Sequence, residues 1–380
     1  MNGDAVLELT GLDALIAALI ARGYRVIGPR VQDGAIVLDE LQHAADLPVG
    51  VKDEQSPGRY RLAPRSDNAH FGYVVGPHAY KRVFHVPVET LFRVRRDGRG
   101  FEVTETPVDA RPVALFGARA CDVAATTVQD RVLAEGAHPD PRYVARRKDA
   151  FVVAVACNEP GATCFCASMN TGPRPADGFD LSLTELLPEP GVPHRFYVEV
   201  GTERGRAVLD EVAHALPSDE DRRRARALAD AAVASMDKHL ETRHLRDLRI
   251  DNPEHPRWRA VAERCITCTS CTLVCPTCFC SSMDDVTLLE GEAERVRRWD
   301  SCFTRSYSYM HGGPARPSVE ARYRHWLTHK LAGWIDQFGS SGCVGCGRCI
   351  TWCPAGIDLT EEVAAIRADV KAARGASKEA

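Results

Sequence analysis

The sequence lacks a long apolar run, an excess of either charge, and any nucleotide signature, and each absence removes a class of function. No stretch has the length of apolar residues that a membrane-spanning helix needs. With 48 Lys and Arg against 52 Asp and Glu, a formal net charge of -4, nothing suggests a nucleic-acid partner. Neither G-x-G-x-x-G nor G-x-x-x-x-G-K-[ST] occurs, so no flavin or nucleotide is expected on this chain. H-E-x-x-H is absent too. His325 and His329 stand one helical turn apart, but no acidic residue lies between them and no third ligand suggests itself, so the thirteen histidines read as ordinary polar or core residues. The first 24 residues lack the basic start and the small-residue cleavage site of a signal peptide, which leads us to expect a cytoplasmic chain.

What the chain has is cysteine, fifteen in 380 residues. In a reducing compartment so many thiols call for metal or redox chemistry rather than disulfides. Eight fall into two copies of one pattern, C-x2-C-x2-C-x3-C-P. The first copy is Cys265, Cys268, Cys271 and Cys275 before Pro276, and the second is Cys343, Cys346, Cys349 and Cys353 before Pro354. This run holds [4Fe-4S] clusters in bacterial ferredoxins, where the fourth cysteine of each run ligates the other cluster. The expected ligand sets are therefore Cys265, Cys268, Cys271 and Cys353 for cluster 1, and Cys343, Cys346, Cys349 and Cys275 for cluster 2. Structural zinc is the competing reading. Zinc sites are usually built from separated C-x2-C pairs, and the third cysteine and the C-x3-C-P ending would have no purpose there. Gly345 and Gly347 suit a loop that wraps closely around a cluster.

The expected fold is α+β or α/β. Residues 1–217 read as a mixed α/β domain, 218–256 as a helical linker, and 257–380 as a two-[4Fe-4S] ferredoxin-like domain with a helical insert. Apolar positions from Leu12 to Ile20 have helical spacing. YRVIGP, AIVLDE, YRLAP, GYVVG and FEVTET are short strand-like runs. PVALFGARAC, a helix-compatible DVAATTVQDRVLA and then FVVAVAC suggest a parallel crossover, which places Cys121 and Cys157 at the carboxyl edge of a sheet, where such folds build their sites. The two motifs are 67 residues apart, Pro276 to Gly342, and the segment RYRHWLTHKLAGWI between them looks helical. Residues 360–373 suit an amphipathic helix, and ARGASKEA is expected to fray.

Seven cysteines remain. Thr163-Cys164-Phe165-Cys166-Ala167-Ser168-Met169 and Thr277-Cys278-Phe279-Cys280-Ser281-Ser282-Met283 agree at six of seven positions. A third [4Fe-4S] cluster is expected on Cys121, Cys157, Cys164 and Cys166, against the alternative that some of these are buried thiols packing as small hydrophobes. Cys278, Cys280 and Cys302 are left as alternative ligands or as groups lining the route between clusters.

With ARACDVAA, CFCASM, CPTCFCSSM, RRWDSCFTR and GCVGCGRCITWCPAGID, the chain from about residue 111 to 365 resembles the iron-sulfur β subunit of cytoplasmic NAD(P)-linked [NiFe]-hydrogenases, the sulfhydrogenases, and its relative, the corresponding iron-sulfur subunit of anaerobic sulfite reductase. The resemblance implies a non-catalytic electron conduit in a multi-subunit oxidoreductase. Its neighbours would be a flavin and [2Fe-2S] subunit that reacts with NAD(P)H and the hydrogenase small and large subunits. The alternatives are the same relay in a sulfite or polysulfide reductase, partnered by the catalytic subunit of that enzyme, or a substrate-binding iron-sulfur enzyme.

Overall fold

The structure is a computed structural model and describes residues 3–250, 252–289 and 291–376. In chain order its strands are β1 (Ala5–Glu8), β2 (Arg25–Gln32), β3 (Ala35–Glu40), β4 (Val51–Ser56), β5 (Arg59–Pro64), β6 (Val88–Asp97), β7 (Gly100–Glu105), β8 (Val113–Arg119), β9 (Phe151–Val155), β10 (Leu181–Leu186), β11 (Arg195–Val200), β12 (Ser281–Thr287) and β13 (Glu292–Trp299). A seven-stranded sheet has the order β1-β11-β10-β9-β8-β2-β3. Its centre, β2, β8, β9 and β10, is parallel, and antiparallel pairs close both edges.

The central strands are apolar at successive positions because both of their faces are covered. Ala114 and Phe116 of β8 and Phe151, Val153 and Val155 of β9 enter one core with the helix Thr10–Ala21. Val113, Leu115, Val152 and Ala154 enter the opposite core with Tyr80, Phe84 and Tyr143. Burial on both faces is the reason parallel strands read as continuous apolar runs. The helix Ala120–Leu133 joins β8 to β9, so the crossover read from the sequence is present. The expected linker begins with the helix Asp219–Ala234, whose Ser218 cap accepts from the Asp221 N–H, and Ala225 of that helix packs on Leu186 and Tyr197.

Three segments differ from the sequence reading. Among the described residues the expected helical linker, 218–256, is helical only over Asp219–Ala234 and the single turn Asp247–Ile250, and residues 235–246 between them form no helix. GYVVG, residues 72–76, forms no strand, although Tyr73, Val74 and Val75 are buried. Side chains replace the ladder there. Glu185 accepts the N–H groups of His70 and Phe71, Asp53 accepts that of Val74, and Arg119 donates to the carbonyls of Phe71 and Tyr73. A buried backbone needs such partners, and it does not matter whether a strand supplies them.

The insert is also more than helical. β12 and β13 form a hairpin that continues the β6–β7 hairpin into a second sheet, ordered β12-β13-β6-β7. Charged alternation such as EAERVRRW hid this strand, and its partner lies about 200 residues upstream. Glu89 of β6 joins the hairpins through Arg297 of β13 and also receives Arg142 and Arg146. The helical part follows as Val319–Thr328, a wider turn at His329–Gly333, and Trp334–Phe338.

The C-terminal core gathers Trp258, Phe303, Tyr323, Trp326, Ile350 and Ile366, with Phe165 reaching in from the upstream domain. The last helix is Leu359–Ala376. The final four residues of the stretch expected to fray lie outside the described residues.

Candidate metal centre

The two ferredoxin-type motifs fold alike. In each, the third cysteine lies in a single helical turn, Ser270–Leu273 and Arg348–Thr351. Two residues on either side of the second cysteine take left-handed backbone angles, Thr267 and Thr269 in the first copy and Gly345 and Gly347 in the second. This path turns the first three thiols toward one side of the loop.

Cys265, Cys268 and Cys271 line one small cavity together with Cys353 and also Cys349 of the second motif, and Phe303 and Trp326 wall it. Burial pushes the Cys271 thiol well up, and Cys265, Cys353 and Cys268 push it further. At the second motif burial likewise drives Cys349 up, followed by Cys343, Cys346 and Cys275. Each group of three thus meets the fourth cysteine of the other copy. Among the described residues, no three cysteine sulfurs lie within 4.8 Å of one another. A tetrahedral zinc with bonds of about 2.3 Å would hold four sulfurs roughly 3.8 Å apart. That spacing does not suit a single tetrahedral ion.

The upstream thiols sit against the second motif. Cys121 falls in the first turn of Ala120–Leu133, after β8 has ended at Arg119, and Cys157 follows β9. Burial raises Cys166 to about 12, with Cys157 and Cys346 as the neighbouring thiols that add to it. Cys164 is driven well up by burial, then by Cys166, Cys157 and Cys346. Cys121 packs with Cys166 and Cys346. The 163–166 loop is pinned where it lies. Its Phe165 N–H donates to the Gly345 carbonyl at 2.8 Å, and the hydroxyls of Thr163 and Thr351 are 2.7 Å apart.

The second copy of the repeat has a different neighbourhood. Thr277 donates to the Gly342 carbonyl at 2.6 Å. Cys278 pairs with Cys275, and Cys280 with Cys302, the latter contact lowering Cys280 to about 6. These thiols lie beside the first motif and Lys330.

Buried cations mark the thiol groups. Lys330 donates to Cys275 Sγ at 3.2 Å, to Thr277 Oγ1 at 3.1 Å and to the Gly342 carbonyl at 3.4 Å, with no carboxylate among these partners. Burial disfavours its charge, yet Cys275, Cys278 and Cys343 hold it well above the usual lysine range. Lys81 donates to the Cys278 carbonyl at 3.0 Å and sits over the Trp299 ring; burial pushes it below the usual lysine range, against the raising effect of Cys278 and Cys275. Arg119 reaches Cys157 Sγ at 3.8 Å. Buried ammonium and guanidinium groups need anions nearby. Thiolates carrying an anionic cluster meet that need, so the residues present fit the group.

Arg348, between Cys346 and Cys349, forms a buried ion pair with Asp122 at 2.7 Å and donates to the Gly76 carbonyl. The pair ties the second motif to the turn that carries Cys121. Sequence reading missed Lys330, Lys81, Arg119 and this pair, because nothing in the local pattern marks a cation whose partner lies from 38 residues away, as for Arg119 and Cys157, to 226, as for Arg348 and Asp122. His325 and His329 stack with centroids 5.4 Å apart, and among the described residues they join no three-ligand group.

Residues 264–357 match a family model described as a 4Fe-4S dicluster domain. Together with the paired thiol groups this makes the chain an iron-sulfur protein of the dicluster class. It is 33% identical over 295 residues to sulfhydrogenase 2 subunit beta of Pyrococcus furiosus, covering 76% of this chain and 82% of that one. The chain belongs to this family of iron-sulfur hydrogenase β subunits. It is therefore an electron-transfer subunit of a multi-subunit hydrogenase. No solved structure matches it. Among the described residues no helix is long and apolar enough to cross a membrane.

Proposed function

We propose that the chain relays electrons through three [4Fe-4S] clusters between a flavin-containing subunit that reacts with NAD(P)H and a [NiFe]-hydrogenase module. The ligand sets would be Cys265, Cys268, Cys271 and Cys353; Cys343, Cys346, Cys349 and Cys275; and Cys121, Cys157, Cys164 and Cys166. When bound, the clusters supply one-electron redox steps, and the chain supplies their spacing, charge and burial.

The observation that carries this reading is a graded line of thiols. Cys121, Cys164 and Cys166 lie beside Cys346, with Cys157 behind them against Cys164; the second motif, with Cys346 buried, lies next, and the first opens to the surface. Cys268 is exposed, and Ile266 beside it is 65% exposed. A cluster held at this end would lie at a face where another subunit can approach.

Two measurements test the proposal. Iron in the anaerobically purified chain should approach about twelve atoms per chain, and about eight would remove the third cluster. In the assembled complex, Cys268→Ser should abolish hydrogen-driven NAD(P)+ reduction while flavin-site activity with an artificial acceptor persists. Coupling that survives this change would overturn the relay. Copurification with a sirohaem-binding subunit in place of a nickel-binding one would move the terminal chemistry to sulfite.

A further inference from the structure

Away from the cysteines another set of ligating side chains converges. We propose that His70, Glu185 and His194 form a binding site for a divalent first-row transition ion, for which Zn2+ is the probe. The atoms these residues offer all lie within 4.8 Å of one another, and among the described residues they are the one group of three or more His, Cys, Asp or Glu that does so.

The fold builds the group from three directions. β10 and β11 pair antiparallel with Glu185 opposite Phe196. His194 lies immediately before β11, and its Nε2 is 2.8 Å from Glu185 Oε1. His70 arrives on the buried loop before residue 72. The His70 and Phe71 N–H groups donate to the two carboxylate oxygens at 2.6 and 2.9 Å, which leaves the His70 ring with Nδ1 at 3.8 Å from Oε1. Phe196 backs both imidazoles, with centroids at 5.5 and 6.2 Å.

Three features favour an ion over a simple hydrogen-bonded core. His70 is 9% exposed, and its Nδ1 is buried without a hydrogen-bond partner. Ligands bonded at about 2.0–2.1 Å around a tetrahedral ion stand roughly 3.3 Å apart, and the observed 2.8 and 3.8 Å lie on either side of that spacing. The backbone donors to Glu185 fix the carboxylate, one on each oxygen, as outer contacts do in metal sites.

Binding exchanges the His194–Glu185 contact for two bonds to the ion and requires the His194 tautomer with its proton on Nδ1. Two histidines and one carboxylate leave a fourth position open. Glu185 also lines a cavity with Arg65, Gly72, Asn158 and Glu159.

The test uses the full-length, iron-loaded chain, equilibrated anaerobically with ZnCl2 and desalted. Expected are one tightly held zinc per chain and a zinc K-edge spectrum of nitrogen and oxygen ligands at about 2.0–2.1 Å without sulfur. His194→Gln and His70→Asn should each weaken zinc binding at least about tenfold, with iron content and far-UV circular dichroism unchanged. The wild-type spectrum decides even if a variant fails to fold. Absence of stoichiometric zinc, or a spectrum dominated by sulfur at about 2.3 Å, overturns the site. So does binding that both folded variants retain.

Discussion

Thr267 and Gly345 occupy equivalent places in the two cysteine motifs and adopt the same left-handed backbone, with φ of 54° and 63°; Thr269 and Gly347 repeat the correspondence at 68° and 71°. The backbone path is common to both copies, but the residues that occupy it are not. A Cβ on Gly345 would meet the Cys166 and Phe165 backbone at 2.7 Å, and one on Gly347 would lie 2.4 Å from the Thr163 carbonyl oxygen. In the first copy the loop faces outward, and threonine bears the left-handed angle at about 1–2 kcal/mol per residue. Glycine in the second copy is therefore a packing requirement as well as a conformational one. The sequence reading attributed it to a cluster alone. The CFC loop pressing on the same backbone is the larger constraint.

This contrast can be broken in order of expected size. Gly347→Ala should cost at least about 3 kcal/mol, because the contacted atoms are backbone and cannot swing away. Thermal denaturation together with iron content would show it, and a variant of wild-type stability would mean the loop does not dock as described. Asp122→Ala should cost about 3–5 kcal/mol by leaving Arg348 buried without its partner. Urea unfolding would measure this, and a loss below about 1 kcal/mol would place the pair in a solvated setting.

Lys330→Met should lower the midpoint potential of the cluster that includes Cys275 by on the order of 50 mV. The ammonium favours the more negative, reduced cluster, so its removal favours the oxidised one. EPR-monitored redox titration reads this directly, and an unchanged potential would detach Lys330 from the cluster. The smallest effect belongs to the exposed copy. Thr269→Gly relieves the left-handed strain but adds freedom to the unfolded chain, so its net change should stay within about 1 kcal/mol. A loss comparable to that of Gly347→Ala would erase the distinction between the two motifs.

The inner and outer copies also differ electrostatically. Val344 is 3% exposed, whereas Ile266, its counterpart, is 65% exposed. Arg348 and Lys330 stand beside the inner thiols. Such asymmetry would separate the potentials of clusters held at the two motifs, since burial and nearby donors tune clusters of one type.

By itself the sequence determined the eight motif cysteines, the parallel crossover from β8 to β9, and the family. These depend on spacing along the chain and on local period, which a linear pattern records. Tertiary structure decided which thiols face one another, why Gly345 and Gly347 are glycine, and that β12 and β13 complete a sheet begun at β6. It also placed the buried cations at the thiols and brought His70 to Glu185 and His194. Most of those relations join residues well separated in the chain, from 38 positions for Arg119 and Cys157 to 226 for Asp122 and Arg348. They arise because buried charges and backbone groups must find partners wherever the fold brings them, and no local pattern marks where that will be.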